Sequence, residues 1–485
     1  ARLERDTADQ VAEVLIDLFE TTASEQGPET EGRTVEDLLR LHTEEVLEGL
    51  AGRPAVQARM GLILGIVHRA HSHFAESRKL LRSALEQRLA LAGWNDEESL
   101  EIYHELATLE ASSGNPAHGQ RMLRHSLDLY RALLGTRHES IAICLEDLAG
   151  SLPPASKERA RLLEEALDLR QELEPVPGIG TASSLNALGL ARMEEHRFDE
   201  ALDLFRRSFA LVKRDLGEDH PFSLAVQTNL AVTLTQLNRF DEAQALERRL
   251  VETSRRIYGP DSAIVANALN NLGASLAAAG RWQEAEATFG ESLALARRWL
   301  PPGHSTLDNT ARNLAYVVEY QGRTSEALAL LEGLTADGPS DPASRASTEA
   351  QLAALRLHAG EVEAAVEVLE RLSRRLESSE TLRGVAAAAQ AERLLGEAYL
   401  VDGRYREAER VFRRTLGSAV EVYGPQHPLS AYSACGLASA LAGQRRTEEA
   451  RALFADCLGL YSAWGWADPV TVATYRGFAA GLGDS

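Results

Sequence analysis

Cysteine, lysine and aromatic residues are all scarce in these 485 residues, and each scarcity excludes something. Three cysteines, Cys144, Cys435 and Cys457, are too few and too scattered for a disulfide framework or a cysteine-rich metal site. They read as small buried apolar side chains. Lysine occurs only at Lys79, Lys157 and Lys213, so chemistry that needs a lysine has three candidates. The formal charge of −21 argues against nucleic acid or an anionic membrane as partner, because binding phosphates takes a cationic surface. No apolar run approaches the roughly 18 residues of a membrane span, and the charged start Ala1–Asp9 is not a signal peptide. The expectation is a chain without direct membrane insertion and a cytoplasmic location, extracytoplasmic only if a membrane helix precedes it.

Catalytic signatures are missing too. There is no nucleophile elbow and no paired-carboxylate motif. Of the clustered His68, His71 and His73, only the first two share a helix face, with no carboxylate or cysteine motif beside them. No enzyme, metal or cofactor is expected.

A repeat dominates what is present. Asn271-Leu-Gly-Ala-Ser-Leu-Ala-Ala-Ala-Gly-Arg-Trp-Gln-Glu-Ala285 follows Asn229-Leu-Ala-Val-Thr-Leu-Thr-Gln-Leu-Asn-Arg-Phe-Asp-Glu-Ala243 at a distance of 42 residues. Equivalent positions fall at Phe74, Pro116, Ser156, Phe198, Phe240, Trp282, Thr324, Val362, Tyr405 and Thr447. Apolar residues within a unit recur at helical spacing on both sides of a Gly-Arg turn, so each unit is a helical hairpin. Gly189, Gly273 and Gly396 in the first helix, and Ala201, Ala243, Ala285, Ala327 and Ala408 in the second, mark close approach. A mid-helix Gly costs about 1 kcal/mol relative to Ala, which tight packing must offset. Trp282 is expected to be buried.

The Leu-Gly…Gly-Arg-aromatic-x-Glu-Ala core resembles the tetratricopeptide repeat, and the longer period resembles its kinesin-light-chain-like branch. The resemblance implies an all-α, right-handed superhelical solenoid of helical hairpins that holds a protein or peptide in its concave groove. The extra residues form connectors such as Leu216-Gly-Glu-Asp-His-Pro221 and Tyr423-Gly-Pro-Gln-His-Pro428, where Gly stops one helix and Pro starts the next. His138, His220, His304 and His427 in these connectors read as turn and cap elements.

The expected organisation is an N-terminal helical cap or linker over 1–54, about seven units over 55–334 with the third irregular, about three more over 335–463, and a capping helix over 464–485. Irregular joints are expected at Pro153-Pro154 and between Gly333 and Pro342. The segment before the repeats, with amphipathic stretches at Gln10–Phe19 and Thr34–Arg40, resembles the link between a bacterial Ser/Thr kinase domain and a C-terminal tetratricopeptide array. The kinase motifs themselves are absent from these residues.

In this fold the first helices line the groove, and residues one period apart form ladders. Asn229, Asn271 and Asn313 make such a ladder, suited either to a peptide backbone or to hydrogen bonding between neighbouring helices. Asn186, Asn267, Asn270, Asn309, Arg312, Tyr316 and Tyr320 lie on the same face. Together they predict a polar peptide groove with two aromatic platforms and one cation. The lysines that grip a carboxylate in chaperone-binding relatives are lacking. The alternative is a sensor whose curvature responds to a small molecule or signalling peptide. Oligomeric state stays open.

Overall fold

The protein is described here by a computed structural model. It covers residue 43 and residues 46–463 with short breaks at 51, 71–72, 114, 154–155, 301, 337–341 and 377–381, and also residues 475, 476 and 479. The amphipathic stretches before residue 43, His71, the end of the Gly333–Pro342 joint and the C-terminal capping helix beginning at Trp464 lie outside the described residues.

The described residues fold as successive helices: α1 Pro54–Ala70, α2 Phe74–Ala92, α3 Glu97–Ser112, α4 Pro116–Leu134, α5 Glu139–Ser151, α6 Lys157–Leu173, α7 Ile179–Glu194, α8 Phe198–Leu216, α9 Pro221–Gln236 and α10 Phe240–Tyr258. They continue as α11 Ala263–Ala278, α12 Trp282–Trp299, α13 Ser305–Tyr320, α14 Thr324–Ala336, α15 Pro342–His358, α16 Val362–Leu376, α17 Leu382–Val401, α18 Tyr405–Tyr423, α19 Pro428–Gly443 and α20 Thr447–Ala463. Odd-numbered helices are the first and even-numbered ones the second of each hairpin. The repeat anchors read from sequence are the opening residues of the second helices, except that Ser156 stands one place before α6. The first helix of the third hairpin, α5, is 13 residues long. The chain divides there into two compact units, Ala1–Leu152 with Arg161–Pro175, and Pro153–Ala160 with Val176–Ser485.

One packing rule builds the hairpins. The eighth residue of a second helix is large and fully buried, at Leu81, Leu123, Phe205, Phe289, Phe412 and Phe454. Sixteen residues earlier, on the first helix, stands a small residue: Gly65, Ala107, Gly189, Gly273, Gly396 and Ala438. The glycines are required by space: a Cβ at Gly189 would lie 2.6 Å from the Phe205 ring, at Gly273 2.7 Å from Phe289, and at Gly396 2.6 Å from Phe412. The alanines Ala201, Ala243, Ala285, Ala327 and Ala408 are fully buried, as their close-approach role demands.

The turn between the two helices of a hairpin is equally constrained. His196, Asn238, Gly280, Gly322, Gly360, Gly403 and Arg445 occupy its left-handed position. The next amide then donates five residues back, as Arg281 N does to the Leu276 carbonyl and Arg404 N to Tyr399, which is the Schellman closure. That next residue is usually Arg, and its guanidinium clasps the Glu three places on: Arg197–Glu200, Arg239–Glu242, Arg281–Glu284, Arg323–Glu326 and Arg446–Glu449. This explains the Arg and Glu of the repeat signature, although each exposed pair contributes under about 1 kcal/mol.

Connector histidines cap helices, as the sequence suggested. The side chains of His138, His220, His304 and His427 accept from the amides of Ser140, Phe222, Thr306 and Leu429 at 3.2–3.3 Å. An imidazole nitrogen can accept only when it carries no proton. Within the second unit the hairpins come back upon one another, since the His196 ring lies 5.5 Å from that of His427. Burial, with His196 beside it, pushes the pKa of His427 down to about 4.

The cysteines depart from expectation. Cys144 is free and buried, but Cys435 on α19 and Cys457 on α20 form a disulfide with Cα atoms 5.7 Å apart. Both sit at inward positions of one hairpin, so a separation of 22 residues becomes contact only when the helices fold back on each other. Trp282 also departs. It is half-buried at the start of α12 and stacks on Tyr320.

The rule is broken in α6, whose eighth residue is the exposed Glu164, and differently in α10. Glu247 occupies the eighth position of α10, where sister hairpins carry Phe or Leu, and it is buried opposite Ala231. It accepts a hydrogen bond from the Ser275 hydroxyl of α11, and burial raises its pKa to about 7.

Two predictions follow from this core. Gly273→Ala, which would stabilise an ordinary helix by about 1 kcal/mol, should destabilise this one by about 1–3 kcal/mol through overpacking. Phe289→Leu should abolish that penalty; an additive double-mutant cycle in urea denaturation would contradict the contact. Because the folded pKa of Glu247 exceeds its ordinary value of 4.5, its contribution is fully present below about pH 4.5 and is lost as pH rises through about 7. Glu247→Gln should therefore slow hydrogen exchange in α10 and α11 at pH 8, by roughly 2–3 kcal/mol of local stability, and much less at pH 5. Equal protection gains at both pH values would exclude an ionisable burden at this site.

Candidate functional site

First helices of consecutive hairpins touch one another along the array: α1 with α3 and α3 with α5 in the first unit, and α7, α9, α11, α13, α15, α17 and α19 in succession in the second. Within each unit, residues of the first helices that face away from their own second helix therefore form an inner surface. All predicted groove residues lie on these helices: Asn186 on α7, Asn229 on α9, Asn267, Asn270 and Asn271 on α11, and Asn309, Arg312, Asn313, Tyr316 and Tyr320 on α13.

The structure links them by a spacing of 43, not 42. Asn229 Nδ2 donates to Asn186 Oδ1 at 2.9 Å, and Asn313 Nδ2 to Asn270 Oδ1 at 3.0 Å. These two amide pairs join neighbouring first helices, and each leaves its carbonyl oxygen on the later helix uncommitted by that bond. Asn271 is half-buried and Asn267 exposed, and neither makes a side-chain hydrogen bond among the described residues. Arg312 is committed inside the protein: it donates to the Ser344 carbonyl at 3.1 Å, to Thr348 and to Asn309. Burial lowers its pKa, against the pull of the neighbouring Asp308. Arg312 thus braces α13 against α15 and is not a free groove cation.

Further pairs between neighbouring first helices, in each unit separately, escaped the sequence reading. His104 on α3 is buried and pairs through Nε2 with Asp147 on α5 at 2.7 Å, again 43 residues apart. Burial opposes its protonation, but the Asp147 carboxylate prevails and its pKa rises to about 10. Cys144 lies nearby with its thiol directed at the Leu123 carbonyl, 3.5 Å away, sealed from solvent and not presented as a nucleophile. Further along, Glu319 on α13 accepts from His358 on α15 and raises its pKa. Arg393 on α17 stacks over Tyr432 on α19 at 4.7 Å. The signal in sequence was spacing across neighbouring units, masked because the residue types differ from pair to pair.

Two aromatic platforms stand on α13. Tyr316 and Tyr320 are 51% and 58% exposed. Tyr320 stacks on Trp282 with ring centroids 3.9 Å apart, and Tyr316 flanks the pair at 6.5 Å from each ring.

A different recess in the first unit, about 790 Å³ and open to solvent, is walled by α4, α5 and α6. Its charges are paired across it, Arg131 with Glu165 and Arg137 with Glu172. Among the described residues no group of three or more His, Cys, Asp or Glu could hold a metal ion, and no helix is long and apolar enough to cross a membrane.

Comparison with known proteins agrees with the architecture. Models of the Tetratricopeptide repeat match residues 180–256, 242–298, 264–332 and 387–463, and a further one matches 99–140; together they span more than half of the chain. No curated protein sequence matches. Among solved structures, the chain is 22% identical to a putative kinesin light chain with nearly identical TPR-like repeats from Podosopora anserina, over 40% of this chain and 94% of that one, with a TM-score of 0.34. It is 22% identical to BtubC (BKLC) from P. vanneervenii over 49% and 89% of the two chains, TM-score 0.36. It is 11% identical to a Rap protein complexed with Competence and Sporulation Factor over 88% and 97%, TM-score 0.44. At such identity and overlap the assignment rests on the repeat models and on the hairpins themselves. Both agree on the unit and on where it recurs, so the chain belongs to the tetratricopeptide-repeat family, whose fold is a scaffold for binding proteins.

Proposed function

We propose that the inner face of the second unit binds an extended peptide segment of a partner protein. The observation that carries this reading is the set of amides on α11 and α13 with unspent hydrogen-bonding capacity: Asn267 and Asn271 without side-chain partners among the described residues, and Asn313 with its carbonyl oxygen available beside the Asn270 bond. A side-chain amide offers two donors and an acceptor, which matches the alternating groups of a peptide backbone. The polar lining disfavours an apolar small molecule, which needs an enclosed apolar pocket.

In this reading the array is the non-catalytic regulatory part of a bacterial signalling protein such as a Ser/Thr kinase. The support is the resemblance of the segment before the repeats to a kinase-to-array linker. The Cys435–Cys457 disulfide favours an oxidising compartment, and so favours the extracytoplasmic placement over the cytoplasmic one.

The test is affinity capture from native extract with the wild-type chain beside Asn267→Ala/Asn271→Ala, followed by titration of the captured partner. Each neutral hydrogen bond contributes about 1 kcal/mol, so the double variant should weaken the partner roughly thirtyfold while helicity is unchanged. Equal affinity for both chains would remove the inner face from the binding surface.

A further inference from the structure

On α13 the residues Asn309, Asn313, Tyr316 and Tyr320 follow at intervals of four and three, so they line one stripe of the inner face, with Glu319 at its edge. At its end Trp282 and Tyr320 stack with an interplanar angle of 25°, and Tyr316 stands at 62° to Trp282 and 42° to Tyr320. Packing does not require these rings: one period earlier the same two places of the first helix are Ala274 and Ala278, and that hairpin folds by the same rule. A ring kept more than half exposed at a position where Ala suffices points to contact with something outside the chain.

The chemistry of that contact can be read from how the chain treats its other aromatic faces. Arg404 lies over Tyr399 at 4.3 Å and Arg393 over Tyr432 at 4.7 Å. Among the described residues no Lys or Arg lies over Tyr320 or Trp282. Arginines close in sequence to the two rings are engaged elsewhere: Arg281 with Glu284 and Gln244, Arg323 with Glu286 and Glu326, and Arg312 with Ser344 and Asn309. The whole chain carries a formal charge of −21, which repels an acidic ligand and attracts a basic one, while Glu319 on the same helix is already paired with His358.

We propose that the Trp282–Tyr320 stack, flanked by Tyr316, seats an arginine side chain of the bound peptide. The proposal rests on the peptide-groove reading above and names what that groove selects. A guanidinium placed on the outer face of Tyr320 meets the negative face of the ring, can lie parallel to it, and keeps its edge free for hydrogen bonds. A citrulline side chain has the same shape without the charge and loses most of that attraction.

The experiment uses a fluorescein-labelled peptide of alternating glycine and arginine and its counterpart with citrulline at every arginine, titrated by anisotropy with the full chain at physiological salt. The arginine peptide should bind at least tenfold tighter. Tyr320→Leu should weaken it roughly three- to tenfold, Tyr320→Phe should leave it within twofold, and Asn267→Ala/Asn271→Ala should weaken both peptides in the same proportion. Equal binding of the two peptides with loss in the Asn variant would overturn the arginine seat and keep the groove. An arginine preference undiminished by Tyr320→Leu would also overturn the seat, by assigning the preference to diffuse charge. Loss in Tyr320→Leu but not in the Asn variant would uphold the seat and overturn the groove. Binding of neither peptide would overturn both.

Discussion

The contact on which the array depends is that of a large second-helix side chain with a small first-helix residue sixteen places earlier. Where the large side chain is Phe205, Phe289 or Phe412, the space left for a partner is less than a methyl group, so only Gly fits. The glycine weakens the helix that contains it, and burial of a whole aromatic side chain offsets that cost. Close approach then dictates the rest of the hairpin. Helices packed that tightly must be joined by a short turn, which explains the Schellman closure and the recurring left-handed residue. His196, Asn238 and Arg445 accept that conformation without being glycine, which shows that the packing on either side determines the turn more strongly than the turn residue does.

Stacking hairpins brings their first helices together and creates an inner face on which polar residues compete for two uses. Some are spent on cohesion, as in the Asn186–Asn229 and Asn270–Asn313 bonds and the His104–Asp147 pair. Others, among them Asn267, Asn271 and Tyr320, have capacity left over. The same face therefore holds the array together and, in the function proposed above, would also meet the partner. Away from this face, two ionisable groups respond to burial. Glu247 in the core and His427 at a cap have pKa values moved by burial toward the neutral form, the carboxyl upward and the imidazole downward.

Much of this was legible in sequence because a repeat is read many times over. The period, the hairpin, the opening residue of nearly every second helix, the small residues of close contact and the histidine caps follow from residue type and spacing alone. Trp282 misled because its repeat position opens the second helix, where Phe198 and Phe240 are half-buried too, whereas the fully buried side chain of the unit stands seven residues later. Cysteine spacing in sequence carried no sign of the Cys435–Cys457 pair, since the folding back of α19 and α20 supplies their proximity.

The sequence by itself determined the elements and their order, because helical period, turn chemistry and a Gly-to-Phe spacing are local properties that every unit repeats. Tertiary structure alone decided which polar side chains of the inner face are already paired. Pairing depends on the offset between neighbouring helices, 43 residues where the repeat is 42, and on whether the facing position holds a partner. That one-residue offset moves Asn229 and Asn313 into internal bonds, whereas Asn271 makes no side-chain hydrogen bond among the described residues and Tyr320 stays more than half exposed.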